Sequence, residues 1–181
     1  SESHAIMCYL CNKYNWTDLY PSNHEERAKV DSYLLLHHRN VREASIGLVA
    51  PKVRKDLNFS EDFLKISQAN IEKAFKALEN GWLAQSRFLT GDNLTIADMS
   101  AYVEIGQLQS KFTNVYDFEP LPNITRWLEE MNQVAYHDEV HTSLYELGDI
   151  SSEAPSMETI ISANKKGFVV IQEQLASMKD Q

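Results

Sequence analysis

Apolar side chains recur every three or four positions through most of the chain, which is the spacing of one buried face of an α-helix. The spacing predicts helices over residues 3–14, 24–51 and 60–81, the first of them capped by the Ser3 hydroxyl and the second ended or kinked at Pro51. No segment shows the alternating pattern of a β-strand. We therefore predict an all-α bundle of six or seven helices.

A stronger local signal marks the start of the next helix. The Thr95 hydroxyl can cap the helix, while Asp98, three residues later, can accept a hydrogen bond from the Thr95 amide. Leu94 and Met99 are spaced to close over this turn as a hydrophobic staple. Residues 96–108 are apolar on nearly every side, so this helix is predicted to be the buried centre of the bundle.

The last third of the chain predicts a helix from Pro122, a shorter one over residues 137–147 and a polar linker over residues 148–156. A final helix follows from Met157. Its main pattern, here named the heptad seam, consists of seven positions alternately four and three apart: Met157, Ile161, Asn164, Phe168, Ile171, Leu175 and Met178. This spacing predicts a helix that needs a partner surface.

Composition narrows the classes of function. The chain has 181 residues, of which 43% are hydrophobic, so it can bury a substantial core and is not disordered. Its net charge of −9 opposes binding to nucleic acid. No apolar run approaches the roughly 20 residues of a membrane span, and the first residues lack the order of a signal peptide. We expect a cytoplasmic protein with no membrane or nucleic-acid partner.

Three segments together resemble a known family. They are Ser1–Ile6 ahead of a helix, Arg27–Asp31 leading to Arg42, and Phe88–Asp92 leading to Asp98. Their order and spacing over residues 1–148 resemble the C-terminal part of a glutathione transferase. The second helix is most similar to the theta class and its bacterial relatives.

The resemblance implies a helical bundle like the glutathione transferase C-terminal domain, with an extra C-terminal helix. It assigns residues 1–14 to the last helix of a thioredoxin-like domain, 15–23 to a linker, 24–148 to the helical domain, and 149–181 to a linker and helical extension. Since the family's thioredoxin-like domain is longer than this first segment, we expect that residues upstream of Ser1 are missing from the sequence.

The resemblance also implies site residues. Glu2 and Ser3 match the family position that holds the γ-glutamyl end of glutathione, the co-substrate. Arg42 matches an arginine that faces the active site, where its charge could lower the pKa of the glutathione thiol or hold an anionic leaving group. His38 and Ile46 lie four residues on either side of Arg42, so helical spacing predicts them as neighbours in the substrate pocket.

The function that the resemblance implies is conjugation of glutathione to a small electrophilic substrate. The family's thiol-activating residue matches no position in this chain, so no catalytic residue is assigned and the chain alone is expected to be inactive. Leu36 replaces a tryptophan common nearby in the theta class, which leaves the pocket shape open. The alternatives are a non-catalytic dimerisation or docking module, including a homodimer, and a protein that binds apolar ligands.

Two other motifs favour packing over chemistry. Cys8 and Cys11 form a C-x-x-C pattern, but both lie inside a predicted helix, so we interpret them as small packing residues. His137 and His141 superficially resemble the zinc helix H-E-x-x-H. Asp138 stands in place of the glutamate and no third ligand is evident, so no native metal site is predicted.

Overall fold

The computed structural model describes residues 2–179, so the interpretation of Ser1 lies outside the described residues. The α-helices of this range are α1 (Ser3–Tyr14), α2 (His24–His37), α3 (Ala50–Val53), α4 (Glu61–Ala77), α5 (Ile96–Ile105), α6 (Pro122–Met131), α7 (His137–Val140), α8 (Thr142–Leu147) and α9 (Met157–Lys179). Between residues 2 and 179 there is no β-strand, which confirms the all-α prediction. No helix there combines the length and apolar character that crossing a membrane requires.

Helix α5 lies at the centre of the bundle, as its sequence predicts. The capping box is present: the Thr95 side chain caps the first turn, and Asp98 Oδ2 accepts from the Thr95 backbone N–H at 3.0 Å. The second Asp98 oxygen accepts from the Leu89 backbone N–H and the Trp127 indole N–H. Because Asp98 is fully buried, these bonds tie the start of α5 to a preceding loop and to α6.

The prediction of one continuous helix over residues 24–51 is wrong. Helix α2 ends at His37, residues 38–42 form turns, and a π-helical turn over Ser45–Val49 leads into α3. Pro51 is the second residue of α3, which continues directly from the π-helical turn. Pro51 therefore does not end the helix, and a kink at this position stays a prediction.

Smaller boundaries differ as well. The N-cap of α1 is Glu2, so the Ser3 hydroxyl is not the cap that the sequence predicts. Helix α4 ends at Ala77, and a π-helical turn covers the predicted end at Gly81. The single helix predicted over residues 137–147 is divided into α7 and α8.

The C-terminal helix α9 is present as predicted and packs on α7 and α8. Its inner face is formed by five residues spaced three or four apart: Ile160, Ala163, Gly167, Val170 and Gln174. A Cβ atom at Gly167 would lie 3.0 Å from the Ser143 backbone nitrogen and closer still to its hydroxyl, so glycine permits the close approach of α9 to α8. This inner face is not the heptad seam.

Candidate functional site

The start of α1 and the end of α2 meet at the edge of a surface groove. Glu2 Oε2 lies 3.8 Å from His38 Nε2, which brings together one predicted glutathione-binding residue and one predicted pocket residue. Both side chains are largely exposed. The groove has a volume of about 670 Å³ and is lined by Glu2, His4, Ala5, Cys8, Asp31, Leu34, Leu35 and His38.

Three imidazole rings, named here the histidine cluster, pack together behind this edge: His4, His37 and His38. The His4 ring centroid lies 4.9 Å from that of His37 and 5.0 Å from that of His38. The Ser100 hydroxyl is 2.6 Å from His4 Nε2 and 3.2 Å from His37 Nδ1, so one serine of α5 connects α1 to α2. Desolvation lowers the pKa of His4, and the charges that His37 and His38 can carry lower it further.

A buried carboxylate lies on the inner side of the cluster. Glu104 Oε1 accepts from Arg42 Nη1 at 2.6 Å and lies 3.9 Å from His37 Nε2, while Oε2 accepts from the Ser45 hydroxyl. Burial raises the pKa of Glu104, but the hydrogen bonds and the Arg42 charge lower it more. The pKa therefore lies below its ordinary value.

These contacts form one continuous polar network of Arg42, Glu104, His37, Ser100 and His4, whose three middle members are buried. It runs from the half-exposed guanidinium of Arg42 to the edge of the groove beside Glu2. The network joins the two groups of residues that the family resemblance implies for glutathione and for substrate.

Ser100 and Glu104 are not among the residues that the sequence predicts for a site. Both are polar residues of α5, four positions apart on a helix that is otherwise almost wholly apolar. A charged residue on a buried helix requires a partner, because an unpaired buried charge is costly. That rule could have singled out Glu104, although it could not have named Arg42 and Ser45 as the partners.

The three predicted pocket residues do not share a helical face. His38 and Arg42 lie in the turns after α2, and Ile46 lies in the π-helical turn that follows. The prediction that helical spacing places His38 and Ile46 on one face with Arg42 is therefore wrong. His38 lines the groove, whereas Arg42 is directed to Glu104 and Ile46 is half-buried outside the groove lining. Their role as a substrate pocket stays a prediction.

The two cysteines are free thiols in α1. Cys11 is buried in the core and Cys8 lines the groove. Burial raises the pKa of both thiols above the ordinary value, which disfavours the reactive thiolate. The interpretation of Cys11 as a packing residue is confirmed.

His137 and His141 belong to an aromatic cluster, with ring centroids 4.4 Å apart. His137 is buried, with Nε2 2.8 Å from the Tyr102 hydroxyl and Nδ1 2.8 Å from Asp138, so both ring nitrogens are engaged. In residues 2–179 no group of three or more His, Cys, Asp or Glu side chains could hold a metal ion.

The chain is similar to known proteins over most of its length. Residues 31–134 match the family model described as "Glutathione S-transferase, C-terminal domain". Glutathione S-transferase T3 of Arabidopsis thaliana is 30% identical over an alignment that covers 92% of this chain and 30% of that protein. Glutathione S-transferase theta-1 of Gallus gallus is also 30% identical, covering 74% of this chain and 52% of that protein. The chain thus spans about half or less of the length of these curated relatives.

Solved structures show the same fold. The structure of human glutathione transferase theta-2, in complex with glutathione and an unknown ligand, superposes with a TM-score of 0.69 at 23% sequence identity. The alignment covers 94% of this chain and 74% of that one. The helical arrangement of most of the chain therefore has a counterpart in a known structure.

Proposed function

The chain belongs to the glutathione transferase family through the C-terminal domain of that family, and we propose that it forms the helical, electrophile-binding part of an enzyme that conjugates glutathione. The observation that carries this proposal is the position of Glu2 and Ser3 at the start of α1, beside the groove and the histidine cluster. In the complete enzyme, the thiolate of glutathione would attack an electrophilic carbon. In a displacement, the carbon–sulfur bond would form as the leaving group departs. In an addition, the thiolate would add to the electrophile and no group would leave.

The start of α1 suits the γ-glutamyl end of glutathione, which carries one carboxylate and one ammonium group. The first N–H groups of a helix have no acceptor within the helix and lie at the positive end of its dipole, so they favour a carboxylate. The Ser3 hydroxyl could donate to the same carboxylate. The Glu2 side chain is 77% exposed and is free to approach the ammonium group.

We propose that the charge of Arg42 acts on the electrophile or on the glutathione thiolate. Its side chain is half-exposed, and Nη1 donates to Glu104. This bond orients the guanidinium and leaves its other N–H donors available. The remaining donors could stabilise negative charge that develops on the leaving group. His38 and Ile46 are proposed as pocket neighbours. We assign no thiol-activating residue to this chain.

Glutathione binding can be tested on the chain as it is. Titration with glutathione at millimolar concentration, followed by amide chemical shifts, should perturb the backbone N–H signals of the first turn of α1. Glu2→Gln and Ser3→Ala should each weaken this response several-fold, whereas Glu158→Gln, in the first turn of α9, should not. Absence of any perturbation in the first turn of α1 would contradict the proposed glutathione site.

Conjugation can be tested on the chain joined to a thioredoxin-like half from a theta-class relative. The chain alone is expected to show negligible turnover of a chloro-nitroaromatic substrate with glutathione, and the joined protein is expected to show turnover. Arg42→Ala should then lower kcat by roughly tenfold, a loss of about 1.4 kcal/mol of transition-state stabilisation, with a smaller change in the KM for glutathione. The exposed neighbour Arg39→Ala is the matched control. Equal kinetics for the two variants would remove Arg42 from the site.

A further inference from the structure

Helices α7, α8 and α9, here named the C-terminal unit, are attached to the bundle by few buried side chains. His137 is the one buried residue of α7, and α8 has none. Helix α9 packs on α7 and α8, with Ala163 and Gly167 buried on its inner face. Tyr136, just before α7, has a φ of 62°, in the left-handed region that bulky residues rarely adopt, so opening would relieve strain there. Because local stability follows buried contacts, the C-terminal unit is expected to open more readily than α5.

The C-terminal unit meets the rest of the bundle at two histidines. The ring of His137 contacts the Tyr102 hydroxyl of α5 and the Asp138 carboxylate. His141 lies between α7 and α8, with its ring centroid 4.4 Å from that of His137 and 5.5 Å from that of Phe112. Phe112 belongs to the segment that connects α5 to α6. His141 is therefore packed directly between the C-terminal unit and the bundle that holds it.

The hydrogen bonding of His141 shows where a second proton would bind. Its Nδ1 lies 2.6 Å from the backbone carbonyl oxygen of His137. A carbonyl oxygen can only accept, so Nδ1 must carry a proton and donate it to this bond. Nε2 is therefore the nitrogen that a second proton would take, and that proton would give the ring a full positive charge.

The surroundings of His141 oppose that positive charge. Burial, together with the charges of His137 and Lys111, lowers the pKa of His141 below its ordinary value. The bond to the His137 carbonyl and the Asp138 carboxylate act in the opposite direction and do not offset this change. Asp138 also accepts from His137 Nδ1 and from the Tyr145 hydroxyl, so its charge is shared among three neighbours.

The contacts from α5 and α9 do not compensate a charge on His141. Helix α5 contributes Tyr102, whose ring centroid lies 5.4 Å from that of His141. Burial raises the pKa of Tyr102, so its hydroxyl stays neutral. Helix α9 contributes Lys166, a further positive charge, which is paired with Glu146 of α8. A proton on His141 is therefore accommodated better once the ring has left this junction for water.

We propose that His141 makes the attachment of the C-terminal unit sensitive to pH, so that protonation of its ring releases α7, α8 and α9 from the bundle under mildly acidic conditions. The proposal does not depend on glutathione binding. The open form binds the proton more readily than the closed form, so opening is favoured as the pH falls below about 6.5 and is insensitive to pH well above that value. A single proton changes the opening equilibrium by at most about tenfold per pH unit.

Hydrogen exchange of the backbone amides tests the proposal. After correction for the intrinsic exchange rate at each pH, the opening equilibrium of α9 should be roughly three- to tenfold larger about one unit below pH 6.5 than about one unit above it. The amides of α5 serve as the internal reference for global unfolding, because this helix lies at the centre of the bundle. They should stay far better protected than those of α9 at both pH values.

Two variants separate the titration of His141 from its packing. His141→Phe keeps a flat ring against Phe112 and cannot be protonated, while His141→Gln keeps an N–H group that can donate to the His137 carbonyl. In both variants the opening of α9 should be the same at the two pH values, whereas the control His24→Gln, at an exposed position, should keep the full response. Protection of α9 that does not change with pH, a response that survives in both His141 variants, or opening of α5 together with α9 would each overturn the proposal.

Discussion

Replacing Asp98 by Asn is expected to destabilise the bundle strongly, although the side chain keeps its size. In the structure, Asp98 Oδ1 accepts from the Leu89 N–H at 2.8 Å and the Trp127 indole N–H at 3.0 Å. Oδ2 accepts from the backbone N–H and the hydroxyl of Thr95, both at 3.0 Å. Four donors thus converge on two carboxylate oxygens, and all of them lie in the buried region around the start of α5.

The magnitude follows from the change in donors and acceptors. An asparagine has one acceptor oxygen and one NH2 group, so the NH2 group must face two of the four donors. If it faces Thr95, the Thr95 hydroxyl can turn to accept, and one buried N–H, that of the Thr95 backbone, is left without an acceptor. If it faces Leu89 and Trp127, two buried N–H groups are left without an acceptor. Each costs about 1–3 kcal/mol, and the remaining bonds lose their charge assistance, which gives a total loss of about 2–5 kcal/mol.

Chemical denaturation followed by far-ultraviolet circular dichroism measures this free energy of unfolding. For a chain of this length, a loss of about 3 kcal/mol corresponds to a fall in Tm of about 10 °C. The matched control is Asp92→Asn, the same change at an exposed position six residues earlier, which should alter stability by less than about 0.5 kcal/mol. A loss no larger for Asp98→Asn than for the control would refute the reasoning that the four-donor arrangement stabilises the fold.

Two further predictions concern α9 and the histidine cluster. Gly167→Ala should loosen α9 and increase tryptic cleavage within it, because the contact of the new Cβ with Ser143 outweighs the gain of about 1 kcal/mol in helix propensity. The control Gly81→Ala has open space around it and should not increase cleavage, so equal cleavage of both variants would argue against the close approach. The lowered pKa of His4 means that the unfolded chain binds a proton more readily, so stability should be complete above about pH 6.5 and fall as the pH drops below it toward the folded-state pKa. His4→Gln should reduce this pH dependence of the free energy of unfolding, whereas the control His24→Gln, at an exposed position, should leave it unchanged. The same pH dependence in His4→Gln as in the original chain would show that His4 is not responsible.

Much of the fold could be predicted from the sequence because helix formation depends largely on neighbouring residues. The capping box at Thr95 and Asp98, the helix start at Pro122 and the C-terminal helix from Met157 are all present in the structure. Each rests on interactions within one or two helical turns, which spacing along the chain reveals.

The candidate site could be predicted only in part. The resemblance implied Glu2 and helical spacing predicted His38, and the structure places these two side chains 3.8 Å apart across 36 positions of sequence. Helical spacing did not place His38 and Ile46 on one face with Arg42, because the helix breaks after His37 and Arg42 contacts Glu104 of α5 instead. Such an exchange depends on a helix more than fifty residues away and leaves no periodic signal.

By itself, then, the sequence determined the helical class, most helix starts and the presence of an apolar seam on the last helix. Tertiary structure alone decided that Ser100 and Glu104 link the histidine cluster to Arg42, and that α9 packs through Gly167 while most of its heptad seam stays exposed. The physical reason is that periodicity reports which faces of a helix are apolar. Which of two such faces is buried depends on the shape of the surface opposite, and here only a glycine allowed the closer approach.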